Sequence, residues 1–150
     1  MRTDIHTPFH IDLEWWASTG RNLRRFLAEI LEENDALSKG AAPVDFVDPD
    51  TAEVFQIDDL WGRVLIERAR RPDYITSATP LTNAVLRSLI EQLNRPMSPI
   101  QLHRRISRTS PDAILRVLRT ARGTYGIVPV EEADVSAAQT EREKAVAAAG

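Results

Sequence analysis

The chain has 150 residues, 43% of them apolar and 27% charged, a length and balance that suit one soluble globular domain. It has no cysteine, which removes disulfides, thiolate catalysis and cysteine-ligated metal centres. The net charge of −3 conceals a segregation: residues 1–60 carry −8, residues 61–126 carry +8 and residues 127–150 carry −3.

A basic middle between acidic flanks has two readings. Either the halves neutralise each other across an internal interface, or the basic part faces a polyanion. Arginine outnumbers lysine 17 to 2, and guanidinium forks bind phosphate and carboxylate better than ammonium groups do. No run approaches the ~20 apolar residues of a membrane helix and no signal-peptide core is visible, so a cytoplasmic location without a membrane partner is expected.

In chain order, "PFHIDLE" (Pro8 to Glu14) alternates Phe9, Ile11 and Leu13 against His10 and Asp12, which predicts a half-buried strand. A helix follows, capped by Ser18 or Thr19, with Leu23, Phe26, Leu27, Ile30 and Leu31 on one face. "VDFVDPDTAEVFQID" predicts a hairpin whose turn is set by Pro49 and Asp50. The next helix begins at Asp58 or Asp59 and must stop by Arg71, ahead of Pro72. Three helices at 81–95, 99–106 and 111–122 come next, each with a proline at its start behind Thr79, Ser98 or Ser110 as cap. Ile127 to Val130 returns to strand character. The stretch from Asp134 to Gly150 is alanine-rich and charged with nothing bulky to bury, and is expected to be disordered.

The last three helices carry a resemblance. "PLTNAVLRSLIEQLNRPMSP", "PIQLHRRI" and "SPDAILRVLRTA", followed by "YGIVPVEE", resemble the winged-helix branch of the helix-turn-helix superfamily over Pro80 to Glu132. The resemblance implies that Leu102, Ile106, Ile114, Val117, Leu118 and Ala121 face inward and that the third helix is the recognition helix. This sequence departs from the pattern at His103, where a small residue is usual, and in the turn "SRTS", which lacks glycine. A wing needs two strands and only one is visible, which leaves that strand free to pair with an N-terminal one.

The expected architecture is α+β and mainly helical. One globular domain would span 1–133, with an acidic βαββα portion (1–79) packed on a winged-helix-like portion (80–133), then the tail 134–150. The expected function is non-enzymatic binding of double-stranded DNA, with a homodimer as an option. The expected nucleic-acid-binding set is Arg104, Arg105, Arg108, Arg119 and Arg122, which suit phosphate anchoring, Ser110 at the head of the recognition helix, and Arg116, the one side chain equipped for a bidentate guanine contact. The first turn of that helix offers only Ser110, Pro111, Asp112 and Ala113, a poor reading head. The competing expectation is therefore an assembly module whose arginines meet an acidic protein surface.

Other constellations are weaker. His6, His10 and Asp12 alternate, but Pro8 interrupts them, so exposed polar alternation explains them better than a metal site. Asp45, Asp48, Asp50 and Glu53 lack calcium-loop spacing and read as a hairpin turn. No phosphate-binding glycine loop, nucleophile elbow or zinc-protease motif occurs, so neither an enzyme nor a cofactor is expected. In "EWW", Trp15 and Trp16 cannot point the same way, so one should be buried and its neighbour partly exposed.

Overall fold

The structure is a computed structural model, and it describes residues 2–20, 22–33, 35 and 42–130. The expected disordered tail lies outside the described residues. Among them the fold is α+β, with six helices and two antiparallel two-stranded sheets. Strand β1 (Phe9–Ile11) is followed by α1 (Leu13–Ser18) and α2 (Leu23–Leu31). A hairpin of β2 (Val44–Val47) and β3 (Val54–Ile57) leads into α3 (Asp59–Glu67). Then come α4 (Leu81–Glu91), α5 (Pro99–Arg105), α6 (Pro111–Tyr125) and β4 (Ile127–Pro129).

The N-terminal portion therefore reads βααββα and not the expected βαββα: the expected strand Pro8–Glu14 stops at Ile11. The reason is Asp12, whose carboxylate accepts the amides of Glu14 and Trp15 and turns the chain into α1. Gly20, at φ 73, lies between α1 and α2. The cap of α2 is Asn22, not Ser18 or Thr19, while Thr19 closes α1. α3 starts at Asp59 and stops at Glu67, within the expected limit of Arg71. Two further corrections concern α4. α4 stops at Glu91, because Leu93 and Asn94 both take positive φ. Pro80 itself stands at the cap of α4, and the Thr79 hydroxyl instead accepts the amide of Thr76.

α5 and α6 follow the sequence closely. Ser98 caps α5 in a reciprocal pair with Gln101, and the Ser110 hydroxyl accepts the Ala113 amide. Leu102, Ile106, Ile114, Leu118 and Ala121 are buried as expected, Val117 is half-buried, and Leu115 joins the buried set. Trp16 is buried while Trp15 is half-exposed, and the two rings meet edge-on.

What holds the two ends of the chain together is β1. Phe9, His10 and Ile11 pair with Pro129, Val128 and Ile127, so β4 finds its partner at the other end of the sequence. On its opposite edge β1 exchanges two hydrogen bonds between Phe9 and Met97. Buried Asn94 continues that edge with its side chain, accepting from the Ile11 amide at 2.7 Å and donating to the Ile11 carbonyl at 2.9 Å. The segment between α4 and α5 thus flanks β1 on one side and β4 flanks it on the other.

Gly126 makes the turn from α6 into β4. It sits at φ 60, and a Cβ there would come within 2.5 Å of the Trp15 ring. Its carbonyl accepts the Asp12 amide, and the Trp16 indole donates to the Tyr125 carbonyl. Behind this frame α2, α3 and α4 share one core, in which fully buried Trp61 donates its indole N–H to the Ile90 carbonyl.

Candidate nucleic-acid interface

The α5–turn–α6 stretch packs its apolar face on the core and turns its arginines outward. Asp112, Arg116, Arg119, Thr120 and Arg122 are all exposed, as are Arg104 on α5 and Arg108 in the turn. Asp112, Arg116, Arg119 and Arg122 follow one another at helical spacings of three and four, so they form one ridge. Like charges at such spacings oppose a helix by about 0.2–0.5 kcal/mol per pair. Asp112 and Arg116, four apart and opposite in charge, favour α6 by a similar amount, whereas the three arginines oppose it among themselves.

The six candidate arginines divide by their partners. Arg105 is taken: its guanidinium makes a forked contact with Glu91 of α4, at 3.0 to 3.3 Å, and the paired carboxylate raises its pKa. Arg108 donates to the backbone carbonyls of Thr76 (2.9 Å), Ser77 (2.6 Å) and Thr79, which ties the α5–α6 turn to the connector ahead of α4. That connector is itself fixed, because the Tyr74 hydroxyl donates to the Arg87 carbonyl and Arg87 donates back to the Tyr74 carbonyl, each at 2.7 Å. Arg119 donates to the carbonyl of Thr3 at 2.7 Å and to its hydroxyl at 3.1 Å. Arg104, Arg116 and Arg122 have no hydrogen-bond or ion-pair partner among the described residues. Ser110 is occupied as the cap of α6.

Carbonyls and hydroxyls orient a guanidinium without cancelling its charge. Five arginines (104, 108, 116, 119 and 122) therefore keep their full charge on this stretch, against the single carboxylate of Asp112. The acidic half of the chain does not cover them. Its carboxylates reach other arginines: Asp58 and Asp59 hold Arg24, Glu33 holds Arg63, and Asp48 holds Arg95. The Arg24–Asp58 pair is almost fully buried, and Asp58 also caps α3 through the Leu60 amide.

Sequence reasoning missed the contact between Arg119 and Thr3, residues 116 positions apart. Periodicity carries no signal for it. Glu91 as the partner of Arg105 was legible in principle, since both fall on charged faces of adjacent helices, but only packing decides which carboxylate an arginine meets.

The weaker constellations have ordinary structural settings. His6 lies in a turn ahead of β1, its amide bonded to Asp4, and so does not extend the strand that carries His10. His10 is half-buried, and burial pushes its imidazole pKa below the ordinary value against the opposing pull of Asp12. Asp48 and Asp50 shape the hairpin turn, the Asp48 carboxylate accepting the Asp50 amide. No helix among the described residues is long and apolar enough to cross a membrane. Comparison with protein-family models, curated proteins and solved structures finds no match.

Proposed function

We propose that α4, α5 and α6 act as a winged-helix-like unit that binds double-stranded DNA, without catalysis, through the α5–α6 face. The observation that carries this reading is the charge pattern: among the described residues, five arginines gathered on one helix pair lack a carboxylate partner, while Arg24, Arg63 and Arg95 each meet one. A polyanion is the partner such a surface suits, because each bound phosphate releases condensed counterions. Arg104, Arg108, Arg119 and Arg122 anchor phosphates in this reading. Arg116, on the outward ridge of α6, is the base-reading residue. Arg105 contributes by fixing α5 to α4.

A second reading, a protein-interaction module, has its own support. The first turn of α6 reads bases poorly, with Pro111 and Asp112 where donors would serve. The exposed large apolar side chains Val44, Val47, Val54 and Ile66 all lie on the hairpin and α3. Beside them is a cleft of about 440 Å³ in which Phe46, Leu65, Ile66, Ala69 and Leu93 alternate with charged side chains that include Asp48, Arg70, Glu91, Arg95 and Arg105.

Amide chemical-shift mapping with a generic duplex separates the two readings. Shifts concentrated in residues 103–122 support DNA binding. An unchanged spectrum at low salt removes that reading and leaves the hairpin corner as the working surface.

A further inference from the structure

Residues 2–8 are held against the α5–α6 pair by a series of specific contacts. Besides the two bonds from Arg119 to Thr3, the Ile100 amide in the first turn of α5 donates to the Ile5 carbonyl at 3.2 Å. Ile5 packs on the core. The segment is folded on itself, since the Asp4 amide donates to the Thr7 hydroxyl (2.9 Å), and the amides of His6 and Thr7 donate to the Asp4 carboxylate (2.8 Å) and carbonyl (3.1 Å). At its far end the Val130 amide donates to the Pro8 carbonyl at 2.8 Å, one step beyond the β1–β4 ladder. A segment with no role would not be expected to be tied down at this many points.

Its position is informative. Phe9 pairs with Pro129, so the segment leaves the sheet beside the end of β4, where a wing would need its second strand and tip. From there it runs past the start of α5 to the middle of α6. It meets α6 at Arg119, and the other ridge residues Asp112, Arg116 and Arg122 stay exposed. It brings Arg2, exposed and with no partner among the described residues, to that flank.

We infer that residues 2–8 form a second arm of the interface, with Arg2 contacting a backbone phosphate beside those bound by α6. Arg119 is the positioning residue: it grips Thr3 through Nε and Nη2, so the arm is oriented before nucleic acid arrives. The inference rests on the DNA-binding reading above.

The test is a duplex titration of the full chain at several salt concentrations, with wild type, Arg2→Ala, Arg119→Ala, the double variant and Arg116→Ala. Arg2→Ala should bind severalfold more weakly at low salt, with a salt slope reduced by about one, and should melt as wild type does. In the Arg119→Ala background the same change should have almost no further effect, because the arm is no longer held; independent contacts would add instead. The inference is overturned if Arg2→Ala binds like wild type while Arg116→Ala is weakened. It is equally overturned if Arg2→Ala binds more tightly, which would make the segment a cover. Absence of salt-dependent binding by wild type would remove both the DNA reading and the arm.

Discussion

Two groups of arginines in this chain share a side chain and little else. In the layer of α2, the hairpin and α3, Arg24 and Arg63 are clamped by carboxylates: Arg24 by Asp58 and Asp59, Arg63 by Glu33 at 2.6 Å and Glu67 at 2.7 Å. Among the described residues there, Arg25, exposed on α2, stands apart, and Arg68 at the end of α3 donates to the Leu31 carbonyl. On α5, the turn and α6, among the described residues, one arginine of six reaches a carboxylate, and the other five are either unpartnered or oriented by neutral oxygens. A paired arginine has its electrostatic partner inside the fold. An unpaired one offers its charge to something outside. Folding therefore cancels the segregation visible in the sequence only in part: carboxylates of the acidic half meet Arg24, Arg63 and Arg95, and among the described residues none of them reaches the basic helix pair.

The contrast can be broken most severely at Arg24. Arg24→Ala strands the buried Asp58 carboxylate and should cost about 3–5 kcal/mol in a urea or thermal unfolding measurement. A loss under about 1 kcal/mol, the worth of an exposed pair, would mean that Arg24 is not the structural arginine its burial implies. Arg104→Ala, Arg116→Ala and Arg122→Ala should do the opposite: each changes stability within about 0.5 kcal/mol. For Arg116→Ala the DNA effect should be largest on a preferred site, about 1–3 kcal/mol, and much smaller on random duplex. Arg104→Ala should instead weaken all duplexes alike and lower the salt slope by about one.

Asp112→Asn sharpens the comparison from the other side, by removing the one carboxylate on the ridge. Generic duplex binding should tighten by a small factor, and unchanged or weaker binding would argue that this turn does not approach phosphate. The smallest effect concerns His10, on the strand that both regions share. Burial lowers its folded-state pKa below the ordinary histidine value of 6.5, so the unfolded chain binds the proton more readily. Its contribution is complete above that value and is lost as pH falls through the lower folded one. Melting temperatures of wild type and His10→Gln should diverge between neutral and mildly acidic pH, with wild type the steeper.

Much of this arrangement was legible in the residues. Ser98-Pro99 and Ser110-Pro111 announce their helices by capping chemistry, and the inward set from Leu102 to Ala121 follows from the 3.6-residue period. The hairpin was marked by Pro49 and Asp50. The strand at Leu13 was misjudged because alternation continued past Asp12, whose capping of the next amides outweighed the pattern. α4 ended early through the backbone twist at Leu93 and Asn94, and neither residue type announces positive φ as glycine would. The site was half legible. Outward arginines follow from the helix period, but their partners do not. Glu91 for Arg105, the connector carbonyls for Arg108 and Thr3 for Arg119 are all set by tertiary packing, which a local pattern does not encode.

The central claim is that the α5–α6 arginines keep their charge for a polyanion. Its most direct test is the equilibrium binding of the wild-type chain to a generic duplex as salt is raised. Three to five phosphate contacts predict that log K falls linearly with log salt, with a slope of about −3 to −5. A slope near zero, or no binding at low ionic strength, would contradict the claim.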